Sequence, residues 1–177
     1  MPLLLPAGAA EPPPEPSDYR MDAYRAPVPA TLQGARVIDA AAAAALWKAG
    51  GVAFIDVLPR PPRPSNLPAG TVWRDPPHSS IPGAVWLVNT GFGALNAETE
   101  AYFRAGLAAA SRGDVNAPLV IFCQRACWMS WNAAKRALYD GYRNVSWFPD
   151  GVDGWQEAGL PLVALEPAPA GSRQSGQ

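Results

Sequence analysis

The chain of 177 residues has only two cysteines and one histidine. Two thiols cannot build a framework of several disulfides, and one histidine excludes catalytic or metal sites made of several imidazoles. Charge is also scarce, since 14 basic and 15 acidic residues leave a net charge of −1. This balance excludes the basic surface that is typical of nucleic-acid-binding proteins. No apolar run reaches the roughly 18 residues that a membrane-spanning helix requires.

Proline, by contrast, is abundant, with 21 residues. Many prolines fall in residues 11–33, where their density excludes helix and predicts an extended arm, either mobile or held against the domain surface. Tyr19, Met21 and Tyr24 are the candidate anchors of this arm. A second proline-rich segment, residues 58–80, predicts a long connection of the kind that is usually functional or disordered.

The two ends of the chain differ from the middle. Residues 1–10 contain a short leucine run and a small-x-small pattern, which look like the end of a signal peptide, although its positively charged start is missing. We therefore expect export to a bacterial periplasm, where thiols meet an oxidising environment. The alternative is an ordinary Ala- and Leu-rich tail. Residues 166–177 are small and polar, and predict a loose C-terminal tail.

Between these ends, residues 34–165 alternate strand and helix patterns. Asp39 and Asn96 are suitable N-caps for two of the helices. The predicted strands are residues 36–38, 52–57, 81–88, 118–122 and 145–148, and the predicted helices are residues 40–49, 97–111, 129–139 and 155–158. This alternation predicts one α/β domain, with a central parallel sheet covered by helices on both faces.

The most informative segment is the loop Cys123–Trp128. It follows a buried strand directly and leads into a helix, a place where α/β proteins put their sites. Because a helix N-terminus stabilises anions, Cys123 is expected to have a lowered pKa and to hold a persulfide or sulfur oxyanion. The alternative is that Cys123 has a purely structural role as a small buried apolar residue. The residues expected to form the cradle with it are Gln124, Arg125, Ala126, Cys127, Trp128 and Met129, with Arg125 as a source of positive charge.

Six short segments occur in the order found in rhodanese domains. They are Phe54–Val57, Ile81–Ala84, Val120–Cys123, Asn132–Leu138, Gly141–Val145 and Gly151–Trp155. Over residues 34–163 the chain resembles this family. The resemblance implies a rhodanese-like fold, in which Cys123 is the nucleophile that carries a sulfane sulfur as a persulfide. It also implies that the loop amides wrap around this sulfur.

A smaller rhodanese-like group is more similar still. Cys123-x-x-x-Cys127-Trp128 and His78 ahead of Ile81 resemble the CXXCW motif proteins associated with catabolism that depends on pyrroloquinoline quinone. This resemblance implies a bacterial periplasmic protein linked to alcohol oxidation. A dehydrogenase system that uses pyrroloquinoline quinone is then a candidate partner, and this or another redox cofactor a candidate ligand. Trp128 stands where sulfurtransferases commonly have a cationic or small residue, which weakens the case for the dianion thiosulfate as substrate.

The two thiols allow two kinds of chemistry. At positions i and i+4 their Cα atoms lie about 6 Å apart in a helix-like loop, within reach of a disulfide. So short a closed loop stabilises by only about 2 kcal/mol, so a bridge here indicates redox chemistry, in which Cys123 attacks and Cys127 resolves. In sulfur transfer from a sulfane-sulfur or thiol substrate, Cys127 would discharge the persulfide of Cys123. Metal binding is disfavoured because the ligands are too few.

Several tryptophans lie near the cysteine loop in the sequence. Either they are ordinary core residues, or they form a flat apolar surface for a quinone or for a dehydrogenase partner. The second possibility would make the protein a non-catalytic accessory. The residues concerned are Trp128, Trp131, Trp147, Phe148 and Trp155, with Trp73 and Trp86 as possible additions.

Three polar residues are candidate supports for the site. Asp56 ends its predicted strand at the same sheet edge as Cys123, where it could orient a loop or cap a helix. His78 could approach the site from the proline-rich connection, although an exposed loop histidine is the favoured interpretation. Asp150 begins a predicted turn, followed by residues 151–154.

Overall fold

Strand and helix alternate to give a five-stranded parallel sheet in the computed structural model, which describes residues 9–170. The strand order is β1-β6-β5-β2-β4, and every neighbouring pair is parallel. The elements are β1 (Arg36–Val37), α1 (Ala40–Ala49), β2 (Ala53–Asp56), β3 (Ser79–Ser80), β4 (Val85–Trp86), α2 (Ala97–Ser111), β5 (Leu119–Phe122), α3 (Trp128–Tyr139), β6 (Val145–Phe148), α4 (Gly151–Glu157) and β7 (Val163–Ala164). The predicted α/β architecture is therefore confirmed.

The sheet separates two apolar clusters. β5 and β6 are buried on both faces, which explains why β5 is a continuous apolar run and why Ser146 is the one polar residue of β6. One face packs Ile121 and Trp147 against α2 and α3. The other packs Phe122 and Phe148 against α1 and α4. Because side chains alternate along β5, Cys123 belongs to the face covered by α2 and α3.

The two predicted helix caps are confirmed. Ala42 N–H donates to Asp39 Oδ1 at 2.8 Å, and Thr99 N–H donates to Asn96 Oδ1 at 2.8 Å. Each cap satisfies one of the unpaired amides of a first helical turn, a contribution of about 1 kcal/mol. The caps fix the starts of α1 and α2 where the sequence placed them.

Three predicted boundaries were wrong. The apolar run 81–88 is mostly a turn, in which Ala84 N–H donates to the Ile81 carbonyl, so only Val85–Trp86 pair with β2. α4 begins at Gly151 rather than at residue 155. The segment read as turn chemistry is thus the first half of a helix. α3 begins at Trp128, one residue earlier than expected.

The terminal segments run along the domain. In the arm, Leu32 is buried in the core, and the Trp131 indole N–H donates to the Thr31 carbonyl at 3.3 Å. Near the other end, Ala168 N–H donates to the Trp86 carbonyl at 2.8 Å, although the sequence placed residues 166–168 in a loose tail. This segment stays attached because β7 pairs antiparallel with β3 just before it. Residues 171–177 and most of the expected signal-peptide remnant, residues 1–10, lie outside the described residues.

Between residues 9 and 170, no helix combines the length and apolar character needed to cross a bilayer.

Candidate active site

The cysteine loop is held in a strained turn between β5 and α3. Ala126 has a φ of 52°, in the left-handed region that disfavours residues with a Cβ atom. α4 supports the loop from outside, since Val152 N–H donates to the Cys123 carbonyl at 3.1 Å. Gly151 has a φ of 51°, and a Cβ atom there would lie 2.3 Å from the Cys123 carbonyl oxygen. Only glycine fits at this contact, so α4 and the loop are packed backbone to backbone.

Cys123 is a buried thiol. Its exposure is 0%, and burial raises its pKa well above the usual value. The hydrogen bond to Cys127 and the negative charge of Asp56 act in the same direction, whereas the Gln124 amide opposes them. The expectation that Cys123 has a lowered pKa was therefore wrong, because a fully buried position at the end of β5 disfavours its thiolate.

Cys127 is the thiol that ionises more easily. The Cys123 S–H donates to its sulfur and lowers its pKa to about 7, although burial opposes this shift. The amides of Met129, Gln124 and Ser130 also favour its thiolate. Cys127 is the N-cap residue of α3, with no capping hydrogen bond of ordinary geometry, so its sulfur lies in the positive field of the helix N-terminus. Sequence reasoning placed this field on Cys123, which instead directly follows β5 and lies four residues before the N-cap of α3.

Arg125 points away from the two thiols. Its guanidinium donates to both carboxylate oxygens of Glu157 at 2.6 and 2.7 Å, and its Nε donates to Asp150 at 3.1 Å. Its backbone N–H donates to Asp153 at 2.9 Å. The expected positive charge is thus neutralised on the outer side of the loop. Asp150 holds Arg125 and does not support the sulfur atoms.

The tryptophans near the loop are core residues. Trp128 is 2% exposed and meets Trp131 edge to face, with ring centroids 5.4 Å apart. Trp147 packs on the same face of the sheet, whereas Phe148 and Trp155 lie on the opposite face. The sheet therefore divides the set, and the expected aromatic surface for a quinone or a partner does not form.

Trp128 has an unusual feature within this core. Its indole nitrogen is buried and has no hydrogen-bond partner among the described residues. The guanidinium carbon of Arg20, in the arm, lies 5.0 Å from the centroid of its ring.

Asp56, His78 and Ser80 form a buried polar cluster beneath the sheet edge. Asp56 Oδ2 accepts hydrogen bonds from His78 Nε2 and Ser80 Oγ, each at 2.6 Å, and Oδ1 accepts from Leu58 N–H at 2.9 Å. The expectation that His78 is an exposed loop residue was wrong, because its ring is bound to the buried Asp56 carboxylate. Asp56 is paired in register with Phe122, so its side chain shares the face opposite to Cys123. The cluster holds the two ends of the proline-rich connection to the end of β2 and makes no hydrogen bond to either sulfur atom among the described residues.

The arm covers the cysteine loop. Trp128 N–H donates to the Tyr24 carbonyl at 2.8 Å, and Ala26 N–H donates to the Ala126 carbonyl at 3.1 Å. Of the candidate anchors, Tyr24 meets Phe92 edge to face at 5.4 Å, whereas Met21 is exposed. No sequence pattern indicated that the arm would pair with this loop. The aromatic residues Tyr19 and Tyr24 indicated only that the arm would attach to the domain.

Within the described residues, few side chains are arranged to bind a cofactor or a metal ion. In the range 9–170, no group of three His, Cys, Asp or Glu side chains is placed to hold a metal ion. A cavity of about 570 Å³ beside α3 contains Lys135 and Arg136, but their nitrogens already donate to backbone carbonyls. Asp18 and Glu100 in the same cavity would repel the carboxylates of pyrroloquinoline quinone. These residues do not fit that cofactor.

No protein-family model matches the chain, and no curated protein does either. One solved structure with similarity is the solution structure of the 30 kDa polysulfide-sulfur transferase homodimer from Wolinella succinogenes. It shares 19% sequence identity and has a TM-score of 0.46, over 81% of this chain and 84% of that chain.

Proposed function

We propose that this protein transfers sulfane sulfur through a persulfide on Cys127, with Cys123 as the neighbouring thiol. The observation that supports this proposal is the position of Cys127, which is the N-cap residue of α3 and lies in the same core cluster as Cys123. Thiolates, not thiols, are the nucleophiles of sulfur chemistry. The proposal therefore keeps the sulfur-transfer chemistry expected for the loop and moves the first attack from Cys123 to Cys127.

The first step is an attack of the Cys127 thiolate on the outer sulfur of a sulfane donor. A new S–S bond forms to Cys127, the S–S bond of the donor breaks, and the leaving group departs with the electron pair. The anionic end of the resulting persulfide is stabilised by the amides of Met129, Gln124 and Ser130. Because Arg125 is paired with Glu157, a donor of low charge, such as an organic persulfide, suits the site better than thiosulfate.

The second step releases the sulfur. An external thiolate removes the terminal sulfur, or Cys123 attacks the inner sulfur of the Cys127 persulfide. In the latter case a Cys123–Cys127 disulfide forms, the terminal sulfur leaves as hydrosulfide with the thiol proton, and an external dithiol restores both thiols. Both routes conserve atoms and charge without an oxidant.

Mass spectrometry of the intact protein tests this proposal. Incubation of the reduced protein with an organic persulfide should add the mass of one sulfur atom. Cys127→Ser should abolish the adduct, whereas Cys123→Ser should prolong it, because the internal release route is lost. If no adduct forms at any pH between 6 and 9, roughly the range that brackets the Cys127 pKa, the proposal is wrong.

A second candidate function is thiol–disulfide exchange, which the direct contact of the two free thiols favours. In this case Cys127 attacks a substrate disulfide, and Cys123 resolves the mixed disulfide. Mild oxidation should then remove two hydrogens and leave neither thiol open to alkylation in the unfolded protein. Two alkylatable thiols after oxidation would rule out this candidate.

We also propose that the protein acts in a bacterial periplasm, with a dehydrogenase system that depends on pyrroloquinoline quinone as its partner. The reasons are the composition of residues 1–10 and the Cys-x-x-x-Cys-Trp pattern of the loop. Osmotic-shock fractionation of cells that express the full chain should release it with periplasmic markers. Affinity capture from the same fraction should retain a dehydrogenase of this type, and a purely cytoplasmic location would contradict the proposal.

A further inference from the structure

The arm lies on the cysteine loop as an added strand. Arg25 and Cys127 face each other in an antiparallel bridge, and the hydrogen bonds are made by the residues on either side of them. They therefore form a non-hydrogen-bonded pair, in which the Cα atoms lie about 4.5 Å apart and the side chains share one face. Position 25 is thus the arm position that faces Cys127.

Main-chain contacts hold most of this arm. The Asn132 side chain accepts from Arg20 N–H at 2.9 Å and donates to the Arg20 carbonyl at 2.8 Å. Lys135 Nζ donates to the Ser17 carbonyl at 2.8 Å. Such contacts recognise an extended backbone and demand little of its side chains, as in other cases of strand addition. The loop and α3 therefore present a binding groove for extended polypeptide.

Both thiols are buried, and the arm lies over Cys127. Cys123 and Cys127 are 0% and 1% exposed. The Tyr24 carbonyl also occupies the amide of Trp128, which is the first amide of α3. A sulfur acceptor must therefore displace the arm, and another extended chain can replace the main-chain hydrogen bonds that the arm makes to the loop and to Asn132.

We propose that this groove binds an extended segment of a partner polypeptide, whose cysteine takes the place of Arg25 and accepts the sulfur from Cys127. The arm occupies the groove in the resting protein. This inference rests on the proposed function, because it names the acceptor class of the same site.

The transfer step needs no further reagent. The acceptor thiol first gives its proton to the anionic Cys127 persulfide, and the resulting acceptor thiolate attacks the terminal sulfur of that persulfide. The S–S bond to the acceptor forms, the S–S bond to Cys127 breaks, and Cys127 leaves as a thiolate. The proton stays on the transferred sulfur, so the acceptor departs as a persulfide.

A peptide probe tests the acceptor class. The full-length protein, loaded with an organic persulfide, is mixed with a synthetic peptide of residues 18–30 that carries Arg25→Cys. The control peptide carries Asp22→Cys instead. Sulfur should reach the first peptide about tenfold faster, since two well-placed hydrogen bonds fix its register.

Variants of the full chain show whether the arm competes with the probe. Ala26→Pro removes the N–H that donates to the Ala126 carbonyl, and should speed transfer to the first peptide. Ala30→Pro is the matched control, because no backbone hydrogen bond of Ala30 N–H is found within residues 9–170. It should leave the rate unchanged.

A disulfide in the full chain tests the register independently of sulfur transfer. Arg25→Cys should form a disulfide between position 25 and Cys127 on mild oxidation, because a non-hydrogen-bonded pair lies within disulfide reach. Asp22→Cys should not. Peptide mapping that finds no bridge from position 25 would overturn the strand-like docking of the arm.

The remaining outcomes separate the two proposals. Persulfide on Cys127 with equal transfer to both peptides overturns the acceptor class and leaves the proposed function standing. Absence of any persulfide on Cys127 overturns the proposed function, and the acceptor class with it.

Discussion

At the scale of single residues, the two thiols differ because their surroundings differ. Cys127 has a hydrogen-bond donor and three favourable amides around it, whereas Cys123 has burial and the Asp56 charge against its ionisation. The sequence sufficed to identify the loop, since a strand, two cysteines and a helix are visible in it. It could not identify the thiolate, because burial beneath the arm and the start of α3 depend on tertiary packing.

The donor role of Cys123 predicts how the Cys127 pKa responds to substitution. Cys123→Ala removes the S–H donor, so the Cys127 pKa should rise from about 7 towards its usual value of 9.0. Cys123→Ser keeps a hydroxyl donor and should preserve most of the shift. Thiolate ultraviolet absorption against pH measures both, and equal curves for the two variants would contradict the assigned role.

The close packing at Gly151 predicts that one added methyl group lowers the stability of the fold. Gly151→Ala combines a left-handed φ with a Cβ contact to the Cys123 carbonyl, so it should destabilise the fold by about 2 to 5 kcal/mol. Gly159→Ala has a similar φ of 75° but nothing within 4 Å of the added Cβ. It should cost only about 1 to 2 kcal/mol. Urea unfolding compares the two, and equal costs would show that the contact with the loop is unimportant.

At the scale of elements, local signals determined how well each segment was predicted. β2, β5 and β6 are mostly apolar, and α1 and α2 have side-chain caps, so all five were recognisable. β4 was overestimated because its apolar run includes a turn at Pro82–Gly83. α4 was underestimated because its two glycines disfavour helix in isolation, whereas packing against Cys123 overrides that propensity.

The junction between the arm and α3 predicts a role for Asn132. Asn132→Ala leaves the Arg20 backbone groups and the Gly91 carbonyl without their partner, and should destabilise the fold by about 2 to 4 kcal/mol. Each decrease of about 1.4 kcal/mol in the free energy of arm opening should speed alkylation of Cys127 about tenfold. Asn144→Ala is the control, since its side chain makes one exposed contact of 3.5 Å. An alkylation rate unchanged by Asn132→Ala would contradict the closing role of the arm.

At the scale of the whole molecule, the alternation of strands and helices in the sequence was enough to predict the parallel sheet. It was not enough to predict the paths of the two terminal segments. The arm and residues 163–168 attach through long-range backbone hydrogen bonds, to the cysteine loop and to Trp86 respectively. Proline-rich or small residues carry no periodicity that would reveal such pairings. The contacts of the arm lie at the cysteine loop, so the properties of the site depend on a segment whose path could not be predicted from the sequence.

The pH dependence of global stability should report both thiols. Between pH 7 and 9 the folded state has released the Cys127 proton while the unfolded state still holds it, so stability should rise with pH. Above pH 9 the unfolded state also loses the Cys123 proton, which the folded state retains, so stability should fall. The free energy of unfolding should rise by on the order of 2 kcal/mol between pH 7 and 9. A variant with Cys123→Ala and Cys127→Ala should lack both changes, and an identical profile would contradict the pKa asymmetry.

The most direct test of the central claim is to locate a persulfide by mass. The reduced full-length protein is treated with an organic persulfide, blocked without reductant, digested and analysed by mass spectrometry. Our account predicts one additional sulfur on Cys127 and none on Cys123, because the amides at the start of α3 favour charge on Cys127. Sulfur found on Cys123, or on neither residue, would contradict it.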